Sequence, residues 1–282
     1  METPTRQLGL AQLSLVATAP ADLVRIAASA GFDFIGARVR PVTATERPYD
    51  LQPGSKMLAQ TLAAVKETGV TIKDIEFLLL DGSDQRDAWL AMMEAGAALG
   101  ASSLTIAAAP MEENKLLEIM GTMTRDGVGF NVVPTLEVIS YQGVNSLGQA
   151  ARIATSTGCK LVADTLHLSR VGTTDTELSA HAALIPMLQL CDGPAQRPVD
   201  LDGLILESRS ARMVPGSGGF ALASMVAALP QDLPISVEAP NDEILARVGE
   251  QEWANMLKSG LEKVISQASA LHVDDSITAL SL

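Results

Sequence analysis

Short apolar runs alternate with amphipathic stretches along almost the whole chain. Leu8–Val16, Phe32–Val39, Thr71–Leu80 and Ser103–Ala108 read as strands, because near-continuous aliphatic runs bounded by turn formers suit strands buried on both faces. Between them, Pro20–Ala30, Lys56–Thr68 and Asp84–Leu99 repeat apolar residues at helical spacing, the pattern of a helix that packs on one side. The second half keeps the rhythm. Asn114–Asp126 is helical, Asn131–Ile139 a strand, Ser146–Thr157 a helix, Lys160–Leu166 a strand, Thr176–Ala183 a short helix and Ile185–Cys191 a strand. Val199–Ala211 reads as a helix or a turn-rich insertion. Helix Phe220–Leu229, strand Ile235–Ala239 and terminal helices over Asp242–Ala270 follow. Glycines that close the helices just before the next strand punctuate the units, as helix C-caps do.

Eight strands interleaved with about eight helices predict a (β/α)8 TIM barrel, an α/β fold that commonly occupies about 250 residues as one domain. The barrel is expected over 1–270, with a loosely attached C-terminal tail at 271–282. A doubly wound open sheet is the alternative, disfavoured because no G-x-G-x-x-G follows an early strand.

Composition narrows the function. Of 282 residues, 47% are hydrophobic and 19% charged, which supports a large core, while aromatics at 3% argue against a stacking platform for nucleic acid. The formal charge of −13 repels phosphate backbones and anionic membranes. Neither nucleic acid nor membrane is therefore expected as a partner. Cys159 and Cys191 form no C-x-x-C pair and read as reduced thiols of a cytoplasmic protein. Gln7–Ala21 faintly imitates a secretory signal, but Gln12 and Ser14 interrupt it and only Arg6 precedes it. A first strand explains it better.

Chemistry concentrates at strand ends. Glu137 closes Val-Val-Pro-Thr-Leu-Glu, Asp164 closes Leu-Val-Ala-Asp, Gln189 closes Ile-Pro-Met-Leu-Gln and Glu238 closes Leu-Pro-Ile-Ser-Val-Glu. A parallel barrel gathers such positions around one pocket. Three carboxylates placed there repel unless protons or a cation compensate, so a divalent metal is expected. His167, three residues after Asp164, is placed in the loop after the sixth strand, pointing into the pocket. Arg38 and Glu76 end the second and third strands and are expected to meet substrate oxygens or each other. Gly216-Ser-Gly-Gly219 reads as a flexible loop, since it lacks the lysine and preceding strand of a phosphate cradle. Trp89 and Trp253 read as packing residues; His181 and His272 as incidental.

The segments Thr-Leu-Glu137, Ala-Asp164-Thr-Leu-His167, Leu-Gln189-Leu-Cys-Asp192-Gly-Pro and Arg212-Met-Val-Pro-Gly-Ser-Gly218 resemble the sugar phosphate isomerase/epimerase family of the xylose isomerase-like TIM-barrel superfamily. Ala30-Gly-Phe-Asp-Phe-Ile-Gly36 and Val70-Thr-Ile-Lys-Asp-Ile-Glu76 resemble its second and third strands, so the likeness spans roughly 8–260. It implies metal ligation by Glu137, Asp164, Gln189 and Glu238, and an arginine, Arg212, that reaches the substrate. Histidine is common where Gln189 stands. An amide oxygen there favours Mn2+ or Mg2+ over Zn2+, and it is similar to the metal-dependent 3-dehydroshikimate dehydratases of the same superfamily. The DNA-repair branch, with many histidines on zinc, is not matched. Family members commonly form homo-oligomers.

The leading expectation is a metal-dependent isomerase or epimerase of a small keto-sugar or polyhydroxy ketone, working through an enediolate. Glu137 and Glu238 would exchange protons, while His167 and Arg212 hold substrate oxygens. A lyase of the dehydratase type is the second reading, with Arg38, Arg40 or Arg212 holding a carboxylate. A non-catalytic sugar-binding barrel is the third.

Overall fold

The computed structural model describes residues 6–280, with side chains described to Leu271. Eight parallel strands close into a barrel in sequence order, and the last pairs with the first through Leu8–Ile235 and Leu10–Val237. In the first half β1 (Leu8–Leu10), α1 (Pro20–Ser29), β2 (Phe34–Arg38), α2 (Lys56–Thr68), β3 (Thr71–Leu80), α3 (Arg86–Leu99), β4 (Ser103–Ala108) and α4 (Glu113–Gly127) alternate. The second half runs β5 (Val133–Glu137), α5 (Leu147–Thr157), β6 (Lys160–Asp164), α6 (Thr165–Val171), α7 (Asp175–Ala180) and β7 (Met187–Leu190). It ends with α8 (Leu201–Ser210), α9 (Leu222–Ala227), β8 (Ile235–Val237), α10 (Asp242–Val248) and α11 (Glu250–Leu280). The TIM barrel expected from the periodicity is what forms. The side chains of 272–282, which hold His272 and nearly all of the tail read from sequence, lie outside those described.

Aliphatic strand residues such as Leu10, Ile35, Ile75, Leu104, Leu136, Leu161 and Leu188 are fully buried beneath helix residues Leu23, Met93, Met120, Ile153 and Leu257. Truncating one of these to alanine costs about 2–5 kcal/mol. Trp253 is buried in the same core, and Trp89 donates its Nε1–H to Asp126 at 3.0 Å. Helices α2 and α5 end at Gly69 and Gly158, both at φ 78°, a left-handed turn that glycine makes without a Cβ penalty.

Two elements depart from the sequence reading, each for a polar reason. The first strand stops at Leu10, and Gln12–Leu15 forms a 3-10 turn instead of continuing to Val16. The Gln12 side chain accepts from the Arg38 amide at 2.6 Å and donates to the Thr18 carbonyl at 3.1 Å. Ser14 Oγ donates to the Val237 carbonyl at 3.2 Å and accepts from the Ala239 amide at 2.9 Å. These side chains bond the backbone of flanking segments, so the chain leaves the ladder. The sixth strand ends at Asp164 rather than Leu166, because the Asp164 carboxylate accepts from the Leu166 amide at 2.8 Å and caps α6. None of the described helices is long and apolar enough to cross a membrane.

Candidate active site

The carboxyl ends of the strands open into a cavity of about 450 Å³ lined by Arg38, Glu76, Glu137, His167, Arg212 and Glu238 among others. Glu137 is the last residue of β5, Asp164 the last of β6, and Glu238 follows β8 directly. Register places Asp164 beside Gln189 and Gln189 beside Ser236. Alternation along a strand then stacks Ser236 below Glu238 and Asp74 below Glu76. The β2–β3 register sets Arg38 beside Glu76.

Arg212 is the centre of the acidic group. Its Nη1 lies 2.7 Å from Asp164 Oδ2 and its Nη2 3.1 Å from Glu238 Oε2. It also donates to the carbonyls of Ser208 at 2.8 Å and Glu238 at 3.0 Å. Only 2% of it is exposed. Its guanidinium pairs with buried acids of the site and also lines the cavity where the resemblance expects it to meet substrate. Arg38 stands apart, with Nη1 at 3.1 Å from Glu46 and Nε at 3.5 Å from Glu76. The two residues read as meeting substrate or each other are thus near each other but not hydrogen-bonded, as both Arg38 Nε and Glu76 Oε2 lack a partner among the described residues.

The acids respond to these surroundings. Burial first, then the charges of Glu238 and Asp164, hold Glu137 well above the ordinary carboxyl range. Burial likewise raises Glu238 to about 8, against the pull of Arg212. Burial also opposes ionisation of Asp164, but Arg212 outweighs it and holds this carboxyl low. Asp74, buried near Glu76 and Glu238, is pushed well above its usual value. Five buried carboxyl groups therefore share two guanidinium groups, and of these five only Asp164 is held toward its ionised form.

His167 lies in α6, not in a loop, yet it is only 2% exposed and faces the cavity. Burial drops its pKa to about 4, so the ring is neutral near pH 7. The Ser140 amide donates to Nδ1 at 3.4 Å and the Ser140 hydroxyl lies 3.3 Å from the same nitrogen, so Nε2 is the ring atom turned toward Glu137. That Nε2 stands 4.0 Å from Glu137 Oε1. Tyr141 meets the same ring edge-on at 5.6 Å and shares a 2.9 Å hydrogen bond with Ser208.

The loop after Arg212 is not free. Both oxygens of the buried Asp192 carboxylate accept backbone amides: Gly193 at 2.9 Å and Phe220 at 3.0 Å on one, Gly216 at 3.0 Å and Gly218 at 2.9 Å on the other. The glycine loop read as flexible is thus pinned by an internal anion. Arg170 adds a second brace. It pairs with Glu207 of α8, donates to the Pro194 carbonyl at 2.8 Å and stacks 4.7 Å over Phe220.

The family model for the xylose isomerase-like TIM barrel matches residues 24–266. The chain belongs to this family. No curated protein matches it in sequence. Among solved structures, a zinc-binding IolI protein superposes with a TM-score of 0.78 at 18% identity, covering 93% of this chain and 99% of that one. A D-allulose 3-epimerase from Methylomonas sp., in complex with D-allulose, gives 0.69 at 15% identity over 94% and 98%. The probable 3-DHS dehydratase AsbF from Bacillus anthracis gives 0.71 at 12% identity over 91% and 98%. At these identities the likeness is one of fold.

The donors fit a divalent cation. Ligand atoms of Glu137, Asp164 and His167 all lie within 4.8 Å of one another. Gln189 is 1% exposed, and its Nε2 donates to Glu238 Oε1 at 3.2 Å while its Oε1 has no partner. An orphaned amide oxygen beside three carboxyl groups is the donor type a hard cation takes. His167 therefore stands within reach of the same cation as Glu137 and Asp164, and the Gln189 oxygen adds a further oxygen donor beside Glu238.

Ser140, Tyr141, Glu46 and Asp192 were not singled out in the sequence as site residues. Only Asp192 carried a signal, since it follows Gln189 by three in the motif Gln-Leu-Cys-Asp-Gly-Pro. The others lie in loops whose place over the cavity the strand pattern does not encode.

Proposed function

We propose that the chain is a divalent-metal-dependent isomerase or epimerase of a small keto-polyol in carbohydrate metabolism. One observation carries this reading: Glu137 and Glu238, on strands five and eight, are buried acids at one cavity, both held toward the protonated form. Glu137, Asp164, Gln189 and Glu238 would hold the cation, Mn2+ or Mg2+ for this oxygen-rich set. When bound, it supplies positive charge that favours the ionised carboxylates and stabilises oxyanion character on the substrate. Arg212 keeps Asp164 ionised and fixes the Glu238 carboxylate. One of Glu137 and Glu238 takes the proton from the carbon next to the carbonyl. The other returns a proton to that or the neighbouring carbon, so the face of return decides between inversion and isomerisation. The Nε2–H of His167, neutral and held by Ser140, donates to the substrate oxygen where charge develops. Arg38, bridged to Glu46, supports the hydroxyls further out.

The Gln189 amide favours a second reading, elimination of a β-hydroxyl from the same enolate in the manner of a 3-dehydroshikimate dehydratase. Incubation of the Mn2+-loaded protein with ketoses and with dehydroshikimate in D2O separates the two. Solvent deuterium at the carbon next to the carbonyl, with inversion or carbonyl migration, supports isomerase or epimerase chemistry. An ultraviolet-absorbing conjugated product would instead make the protein a lyase. Failure to take up stoichiometric metal would favour the non-catalytic barrel. Two unpaired buried thiols, Cys159 and Cys191, support a reducing, cytoplasmic setting. The acidic surface supports a small-molecule partner rather than nucleic acid or membrane, and assembly into homo-oligomers is part of the same proposal.

A further inference from the structure

The cavity has a third arginine, and it is arranged unlike the other two. Arg209 lies in the last turn of α8 and lines the cavity together with its neighbours Ser208 and Ser210. Arg212 is fully committed to acids within the protein, and Arg38 is paired with Glu46 though it keeps donors in reserve. Arg209 is exposed and has no hydrogen bond or ion pair among the described residues. It is the one arginine lining this cavity without such a partner among the described residues, although the lining includes Glu46, Glu76, Glu137, Glu238 and Asp242.

The helix that carries Arg209 is fixed. Glu207 is tied to Arg170, and Ser208 to Tyr141 at 2.9 Å, so the residues on either side of the turn are anchored to the barrel. The guanidinium is thus carried on an anchored helix turn, with five unused N–H groups at an otherwise acid-lined cavity. Thr43 and Thr45 line the same cavity and share one 3.1 Å hydrogen bond between their hydroxyls. Each hydroxyl has one proton, so that pair keeps one to give. Arg40, weighed from the sequence as a carboxylate binder, does not line the cavity.

We propose that Arg209 is the oxyanion subsite of this cavity, and that the substrate carries a carboxylate or phosphate away from its reacting carbons. The inference rests on the cavity being the reaction site, and it goes beyond that reading by assigning the substrate a charge. A bidentate guanidinium contact discriminates a charged ligand from its neutral counterpart by at least about tenfold.

The test is binding to the Mn2+-loaded protein, measured by calorimetry with matched pairs. D-ribulose is compared with D-ribulose 5-phosphate, and methyl dehydroshikimate with dehydroshikimate. The anionic member of at least one pair is expected to bind about tenfold or more tightly, and the pair that shows the preference identifies phosphate or carboxylate. In Arg209→Gln the ratio within that pair falls toward one, in Arg209→Glu it inverts, and Arg209→Lys restores part of it. Equal binding within both pairs, or a preference that survives Arg209→Gln, overturns the subsite. The readout does not require turnover. An anion that binds through Arg209 without solvent exchange at its carbon would leave the subsite standing and remove the isomerase reading.

Discussion

Arg212 and Arg38 both stand at the carboxyl end of the barrel between two acids, but their settings differ. Arg212 has two carboxylate partners at 2.7 and 3.1 Å and two carbonyl acceptors, and its acids come from β6 and the end of β8. Arg38 has one close partner, Glu46, which comes from a loop and also accepts the Val42 amide at 3.0 Å. Its second acid, Glu76, stays at 3.5 Å without a hydrogen bond. The first centre is saturated and rigid, and neutralises charge. The second keeps unused donors and is joined to a loop that can yield. A fully paired buried arginine preorganises a site; a partly paired one is free to answer a ligand.

Removing each cation is the most direct way to break this contrast. In the metal-free protein at pH 8, Arg212→Met is expected to cost about 3–5 kcal/mol in urea unfolding, because Asp164 and Glu238 lose their buried counter-charge. Arg38→Met should cost less than about 2 kcal/mol, and equal losses would erase the distinction. Turnover sharpens it next. Glu137→Gln is expected to lower kcat by about 10²–10⁴ at saturating Mn2+, and a variant within twofold of the parent would exclude Glu137 as a proton carrier.

Acid tolerance gives a smaller effect. The neutral His167 ring titrates near 4 when folded, against 6.5 when unfolded. The unfolded chain therefore binds the extra proton between these values, and stability falls as pH drops from 6.5 through 4. The difference amounts to about 3 kcal/mol. Glu238 runs the other way, from 4.5 unfolded to about 8 folded, so its share of stability is lost as pH rises through that interval. His167→Gln should flatten only the acid limb of urea midpoints, and an unchanged limb would mean the ring is charged in the fold. The same Glu238 value implies that it is mostly protonated at pH 7 and gives up its proton when a cation binds, in addition to any that Glu137 releases. Calorimetry in buffers of different ionisation enthalpy measures the protons released, and a value of zero would exclude Glu238 as a ligand. On the Arg38 side, Glu46→Gln is expected to raise KM about three- to tenfold with kcat little changed; a larger fall in kcat than in affinity would place this pair in the chemistry.

The contrast also explains what the sequence disclosed. Strand ends are encoded locally: apolar runs fix the barrel, and each run of the second half finishes at Glu137, Asp164, Gln189 or Glu238, so those four were readable as one rim. The position of Arg212 was not. Its place depends on how the segment after α8 folds back, with its amide bonded to the Pro240 carbonyl at 3.0 Å and its carbonyl held by Asn241 at 2.8 Å. No periodicity marks such pairings. His167 was found by its spacing from Asp164, but its helix was missed because Leu-His-Leu reads as a strand ending until Asp164 is seen to cap it. Arg209 was hidden by position alone, as one charged residue at the end of an amphipathic helix.

The Asp192 carboxylate has a further consequence. Four backbone amides converge on it, the kind of concavity that elsewhere captures a dissolved anion. Here the chain occupies that concavity with its own side chain, so closure of the segment does not depend on any solute. Excising the carboxylate in Asp192→Ala would expose an empty receptor, and added formate or acetate should re-form the segment and recover the order that a neutral additive of similar size does not.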